Sequence, residues 1–129
     1  IVVTANELRY NKYKNTLDAI GDVKIIDPNI DTVIYAEKVT YFKNEEKIIT
    51  NGKTKAIVET KYTFKSNDLV FLRNEMKLIS NNYSTIEEKN STIYELEMFK
   101  YFIIDKVLKG EDAKVVTNPS KENSDEFYF

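Results

Sequence analysis

The feature that most constrains this chain is a unit of about 30 residues that recurs four times along it. The second copy runs from Ala36 through Val39 and Tyr41 to Ile48 and Gly52. The matching positions are Ala5, Leu8, Tyr10, Leu17 and Gly21 in the first copy, Ser66, Leu69, Phe71, Leu78 and Asn82 in the third, and Leu96, Phe99, Tyr101 and Leu108 in the fourth. A repeat of this length predicts one supersecondary unit stacked on copies of itself, because a single unit cannot bury its own apolar face.

Within each unit, apolar and polar residues alternate. The clearest case is the segment from Leu17 to Ile25, in which the odd-numbered residues are apolar or small and the even-numbered ones are mostly polar. A period of two indicates a half-buried antiparallel strand and not a helix. The sequence therefore predicts an all-β fold built from four repeats.

The alternation changes parity at the same place in every copy. In the second copy Ile34 and Ala36 share one parity, whereas Val39 and Tyr41 share the other. Because side chains alternate strictly across a strand, such a change predicts a bulge or corner at which the strand bends and keeps its buried face. Four corners in register would fold the stack into two facing layers.

Composition excludes several classes of function. The charges of the 19 basic and 21 acidic residues nearly cancel, and neither sign forms a long block. The sequence therefore shows no basic segment of the kind that binds nucleic acid. The chain has no Cys and no His, which removes disulfides, thiolate chemistry, the commonest metal ligand and the commonest general base. Adjacent carboxylates on a strand point to opposite faces, which is poor geometry for an acid and base pair. We expect no catalytic site, no metal and no cofactor.

One domain is expected at this length, and we place it at residues 1–117. Residues 118–129 begin with a polar, Pro-broken stretch that we interpret as a linker leaving the domain. The last five residues, 125–129, end in three aromatic side chains and look like an element that has been cut.

The repeat itself resembles a known family. The runs 5–10, 17–25 and 36–41 resemble the OstA-like repeat, in which a polar pair precedes apolar-x-Tyr, a short turn and a Gly-x-Val-x-apolar strand. The resemblance covers roughly residues 3–117. It implies a β-jellyroll of stacked antiparallel strands that forms a slightly open V, and a role in carrying lipopolysaccharide across the periplasm of Gram-negative bacteria.

Within that group, Tyr62, the run 71–76 and the end 125–129 resemble the N-terminal periplasmic domain of outer-membrane lipopolysaccharide-assembly proteins, just ahead of their β-barrel. This implies that 118–129 leads towards a missing C-terminal barrel, and that the fragment is itself soluble and lies at the periplasmic face of the outer membrane. The implied partners are lipopolysaccharide, a periplasmic bridge jellyroll joined by end-to-end strand pairing, and the outer-membrane lipoprotein that plugs the barrel. Better-known members link this domain to the barrel through cysteines, and this chain departs from them because it has none.

A lipid carrier needs an apolar interior that accepts acyl chains, and the inward ranks of the repeat would supply it. The predicted lipid-binding residues are Leu8, Tyr10, Leu17, Val39, Tyr41, Ile48, Leu69, Phe71, Leu78, Phe99, Tyr101 and Leu108. The first strand edge would be the acceptor side for a neighbouring jellyroll.

Three alternatives stay open. The same fold serves the soluble bridge and the inner-membrane-anchored receiver of the pathway, and a β-solenoid scaffold with a solid core would need no ligand at all. Interior volume distinguishes the scaffold from a carrier. The small residues Ala19, Ala56, Ser80 and Gly110 leave free volume in the interior if the layers stay apart. If the layers close, neighbouring side chains fill that volume.

Overall fold

The computed structural model describes residues 1–89 and 92–115 and the backbone of 126–128. Within these residues the chain forms strands and one short 3-10 turn, Pro28–Ile30. The strands are β1 (Val2–Thr4), β2 (Glu7–Asn11), β3 (Thr16–Asp27), β4 (Thr32–Phe42), β5 (Lys47–Val58), β6 (Tyr62–Asn67), β7 (Val70–Leu72), β8 (Lys77–Ser80), β9 (Ser84–Glu88), β10 (Ile93–Leu96), β11 (Met98–Phe102), β12 (Val107–Glu111), β13 (Lys114–Val115) and β14 (Glu126–Tyr128).

All of these strands belong to one antiparallel sheet. The long strands β3, β4 and β5 pair with one another in sequence order, and the shorter strands extend the sheet from β5 in two directions. One branch runs through β7, β8, β11 and β12 to β14, and the other runs through β6, β9 and β10 to β13. The predicted all-β class of stacked antiparallel strands is confirmed.

The two branches form the two predicted layers. The first layer contains β2, residues 16–20, 38–42 and 47–51 of the long strands, and β7, β8, β11, β12 and β14. The second contains β1, the remaining halves of the long strands, and β6, β9, β10 and β13.

The chain passes between the layers at one edge, here called the corner. The register of β3 with β4 shifts between Ile20 and Val23, and that of β4 with β5 shifts between Ala36 and Lys38. On β4 both shifts fall between Ala36 and Lys38, where the apolar parity changes in the sequence, so the predicted bulge is confirmed.

Two glycines make the corner possible in the long strands. Gly21 and Gly52 both have φ of +80°, a left-handed conformation that costs glycine little and other residues more. At Gly52 the corner is fixed by Asp68, whose carboxylate accepts a hydrogen bond from the Gly52 amide at 2.7 Å. The chain therefore bends without leaving the Gly52 amide unpaired.

The opposite edge of the layers is here called the mouth. It is formed by the turns 43–46, 73–76 and 103–106 of the first layer and by residues 28–31 and 59–61 of the second. The apolar core lies between the corner and the mouth, with buried side chains supplied by both layers.

Of the predicted linker 118–129, the structure describes only the backbone of β14, which pairs antiparallel with β12. Residues 118–125 and 129 lie outside the described part of the chain. The proposed boundary at residue 117 also lies outside it.

Candidate functional site

The predicted inward ranks lie between the two layers in the three later copies of the repeat. Nine of the twelve predicted lipid-binding residues are at most 8% exposed to solvent. They are Val39, Tyr41, Ile48, Leu69, Phe71, Leu78, Phe99, Tyr101 and Leu108. The sheet register explains their convergence, because Val39 lies opposite Ala19, Ile48 opposite Tyr41 and Phe71, and Leu78 opposite Phe71 and Tyr101.

The first copy of the repeat differs from the other three. Leu8 is 50% exposed, Tyr10 is 54% exposed and Leu17 is only partly buried. The reason is their position, because β2 pairs only with β3 among the described strands, and β1, the part of this copy that lies in the second layer, has three residues. These residues therefore form an exposed apolar edge instead of a closed part of the interior.

Aromatic rings join the layers at the centre of the interior. Phe64, on β6 of the second layer, stacks at 5.4 Å between ring centroids on Phe99 and at 5.0 Å on Tyr101, both on β11 of the first layer. Tilted rings at these distances attract one another beyond the area that they bury. Phe64 did not belong to the predicted ranks, although its alternation with polar neighbours places it on the inward face.

The small residues of the interior are closely packed in this structure. Ala19, Ala56 and Ser80 are at most 1% exposed. At Gly110 a Cβ atom would lie 2.0 Å from Cδ2 of Leu96, so the space beside this glycine is filled by that leucine. The layers are closed at these positions. This is the arrangement expected of a scaffold with a solid core.

Hydroxyl groups line the inside of the corner. The Thr50 hydroxyl lies 2.6 Å from the Thr54 hydroxyl and accepts a hydrogen bond from the Leu69 amide at 2.9 Å. Ser66 hydrogen-bonds Ser80 and receives a hydrogen bond from the Ser84 hydroxyl at 2.9 Å. These contacts satisfy buried polar groups where the bend interrupts the backbone ladder.

Charged side chains close the mouth. Arg73, in a turn of the first layer, donates a hydrogen bond to Asp27 of the second layer at 3.4 Å. The same guanidinium bonds Glu46 and donates to the Tyr41 hydroxyl at 3.0 Å, while that hydroxyl donates to Glu46 at 2.8 Å. Asp27 is 1% exposed, so a carboxylate is buried at the end of the core and is paired across the layers.

The pKa values of this group follow from burial and pairing. Burial raises the pKa of Tyr41 above its ordinary value, and its hydrogen bond to Glu46 raises it further. For Arg73, burial lowers the pKa, but Tyr41, Glu46 and Asp27 together outweigh burial and the net shift is upward. Arg73 thus stays charged and Tyr41 stays protonated at neutral pH.

A second ion pair spans the mouth further along the stack. Lys106, in the 103–106 turn, lies 3.1 Å from the Glu59 carboxylate in the second layer. Both residues line a cleft of about 450 Å³ at the mouth, together with Ile30 and Ile103. These two isoleucines are 7% and 4% exposed, so the cleft leads from solvent to the apolar interior.

The mouth residues were missed as a group because they are distant in sequence. Asp27 and Arg73 are 46 positions apart, and no motif links them. One signal was present, since Asp27 continues the inward parity of Val23 and Ile25 and places a carboxylate on the buried face. An acid in such a position requires a partner.

Among the described residues, no group of three or more Asp or Glu side chains is arranged to hold a metal ion. No helix in the part of the chain that the structure describes is long and apolar enough to cross a membrane.

Fold and site together define a class, a curled two-layer antiparallel jellyroll with an apolar interior and a charged mouth. No family model matches the chain, and no curated protein matches it. Among solved structures, the chain is similar to the crystal structure of LptH, the LptA-homologous periplasmic component of the lipopolysaccharide transport device of Pseudomonas aeruginosa. The TM-score is 0.74 at 14% sequence identity, over 92% of this chain and 94% of that one. At this identity the likeness shows the fold alone.

Proposed function

We propose that this chain carries lipopolysaccharide, with the acyl chains of the lipid held between its two layers. One observation carries the proposal, the continuous apolar interior that runs through three copies of the repeat and ends at a mouth closed by side chains. The similarity to LptH supports it, because that protein is a component of a lipopolysaccharide transport device. The proposed role is transfer along a groove and needs no enzymatic step.

Lipid uptake would require the layers to separate at the mouth. Each acyl methylene moved from water into the interior contributes ~0.8 kcal/mol, so a chain of about ten methylenes contributes roughly 8 kcal/mol. This is comparable to the loss of packing around two large core side chains, which costs about 2 to 5 kcal/mol each.

The exposed edge of the first copy is the proposed joint to the next carrier. Its apolar side chains include Val2, Leu8, Tyr10 and Tyr13, which are 55%, 50%, 54% and 100% exposed, respectively. Strand β2 pairs with β3 on one side only among the described strands, so its other side can accept a strand. We propose end-to-end pairing with a like-folded periplasmic bridge domain at this edge.

Within the pathway, we propose that the chain is the N-terminal periplasmic domain of the outer-membrane assembly protein LptD. Residues 1–117 would be the jellyroll, and 118–129 would lead to a barrel plugged by a lipoprotein. The resemblance of Tyr62 and of the run 71–76 to that domain supports this assignment. The soluble bridge is the second candidate, because the match to LptH spans 94% of that chain. Fractionation of the full natural protein separates them, since only LptD would remain with the outer membrane.

A solid-core scaffold is the candidate of another class, and the tight interior favours it. Photo-crosslinking to lipopolysaccharide decides between scaffold and carrier. A photoreactive residue at Phe99 faces the interior, and one at Lys100, its exposed neighbour on β11, faces away. A carrier crosslinks from Phe99 and not from Lys100. Absence of crosslinks from both sites, while a known carrier crosslinks in parallel, would support the scaffold.

A tether across the mouth tests whether opening is required. The chain has no cysteine, so Glu59→Cys with Lys106→Cys provides two unique thiols. Joining them with a short bismaleimide should abolish crosslinking from Phe99, whereas capping each thiol with N-ethylmaleimide should preserve it. Unchanged crosslinking in the tethered protein would exclude the mouth as the route.

A further inference from the structure

A second concave surface lies on the outer face of the second layer, turned away from the interior. It is a groove of about 880 Å³. Lys24, Tyr35, Lys55 and Lys65 are successive cross-strand neighbours along it, on β3, β4, β5 and β6. Each is flanked along its strand by buried or partly buried residues, so all four side chains point outward.

Positive charge is concentrated at the β5 and β6 side of this groove. Lys55 lies directly opposite Lys65, and Lys53 is two residues from Lys55 on the same face. Like charges directly opposite one another destabilise a sheet. None of these lysines, nor Lys24, forms an ion pair with any residue that the structure describes.

The nearby carboxylates do not neutralise these lysines. Asp22 and Glu37 line the groove at its corner end, on the neighbouring strands β3 and β4. Glu95, at the far side, accepts a hydrogen bond from the Tyr83 hydroxyl at 2.5 Å and pairs with Lys114 at 3.3 Å. The Lys53, Lys55 and Lys65 ammonium groups therefore form a cationic cluster that has no counter-ion among the described side chains.

Aromatic surface lies beside this cluster. The ammonium groups of Lys24 and Lys55 lie 5.8 Å and 5.1 Å from the centre of the Tyr35 ring. Tyr83 lines the same groove and is 54% exposed. With the aliphatic stems of the lysines, these rings give the groove an apolar floor under a charged rim.

We propose that this groove binds an organic phosphate, with the phosphoryl group among Lys53, Lys55 and Lys65 and the organic body on the Tyr35 and Tyr83 side. A phosphomonoester carries about −1.5 to −2 charges at neutral pH, which matches three ammonium groups better than a single carboxylate does. The site is independent of the proposed lipid interior, because it lies on the opposite face of the sheet.

The test is to titrate the whole chain separately with phenyl phosphate, inorganic phosphate and benzoate. Binding is measured from the NMR chemical shifts of the backbone amides. Phenyl phosphate should bind most tightly and shift the amides of residues 53–55 and 65–67. The variant K55Q/K65Q should weaken its binding by roughly tenfold, as expected for the loss of charge-assisted contacts.

The matched control is K100Q/K109Q. These two lysines are also direct cross-strand neighbours, but they lie on the first layer, outside the groove. Both double variants change the net charge equally, and all four positions are exposed. Binding in the control should stay within about twofold of the parent protein. Equal weakening in both variants, or benzoate binding as tight as phenyl phosphate, would overturn the site. Equal affinity for inorganic and phenyl phosphate would overturn the role of the rings.

Discussion

The corner and the mouth close the same apolar interior by different means. At the corner the chain itself passes between the layers, and hydroxyl groups such as that of Thr50 satisfy the bent backbone at short range. At the mouth no strand crosses among the described residues, and closure depends on Arg73 and Lys106 reaching acids in the other layer. Separation at the mouth would only expose charged side chains to water, whereas at the corner the layers are joined by the chain itself. We therefore expect the layers to separate more easily at the mouth than at the corner.

Alkaline pH should test this difference most strongly, because buried tyrosines lie on the mouth side. Burial raises the pKa values of Tyr41, Tyr62, Tyr94 and Tyr101 above the ordinary value of 10.0. A raised pKa in the folded state contributes stability that is complete below pH ~10 and is lost as pH rises through the folded-state pKa. We expect the free energy of unfolding, measured with urea, to fall steeply above pH ~10.

The control for the pH prediction is Tyr94→Phe, which removes one of the four groups and should make the decline shallower. Part of the tyrosinate absorbance should appear only as the protein unfolds, and this part should be smaller in Tyr94→Phe than in the parent protein. An unfolding-linked rise of the same size in both proteins would contradict burial of Tyr94 as the cause.

Arg73→Met should have the largest effect of any single substitution at the mouth. It leaves the Asp27 carboxylate, which is 1% exposed, without its cation. Removal of one partner of a buried pair costs about 3 kcal/mol or more in the free energy of unfolding. Chemical denaturation measures this cost.

The matched control is Arg9→Met, because Arg9 is 69% exposed and its loss should cost under about 0.5 kcal/mol. Similar costs for both would show that the Arg73 cluster does not hold the mouth.

Thr50→Val should loosen the corner by a smaller amount. The substitution keeps the shape of the side chain and removes the acceptor of the Leu69 amide, which is buried. A buried donor without a partner costs roughly 1 to 3 kcal/mol. The matched control is Thr63→Val on β6, a partly exposed site with no hydrogen bond from its hydroxyl among those described, and it should be nearly neutral. Hydrogen exchange of the Leu69 amide should rise in Thr50→Val alone, and unchanged exchange there would contradict the prediction.

The fold could be predicted from the sequence because its determinants are local and repeated. Alternation between Leu17 and Ile25 gives the strand and its inward face, and the parity change between Ala36 and Val39 gives the corner. Each copy repeats the same evidence. The burial of nine ranked residues follows from parity as well, whereas the exposure of Leu8 and Tyr10 does not, because parity cannot tell an edge strand from a central one.

The mouth could not be predicted in the same way. Its contacts join turns that are far apart in the chain, such as those of Glu59 and Lys106, and turn residues carry no periodic pattern. The outer groove was missed for a related reason, because Lys55 and Lys65 become neighbours only through the register of β5 with β6. Whether the interior opens for lipid depends on the difference in free energy between closed and open layers, which periodicity does not encode.

Lys106→Met should have the smallest effect and should separate the two ion pairs of the mouth. The Lys106 side chain is 46% exposed and that of Glu59 is 26% exposed, so water screens their attraction. Such a pair contributes about 0 to 1 kcal/mol, and less in high salt. We therefore expect a small loss in the free energy of unfolding that disappears in about 1 M NaCl, whereas the loss from Arg73→Met persists there. If Lys106→Met cost as much as Arg73→Met and resisted salt, closure would be shared equally along the mouth, and opening would need both pairs to break together.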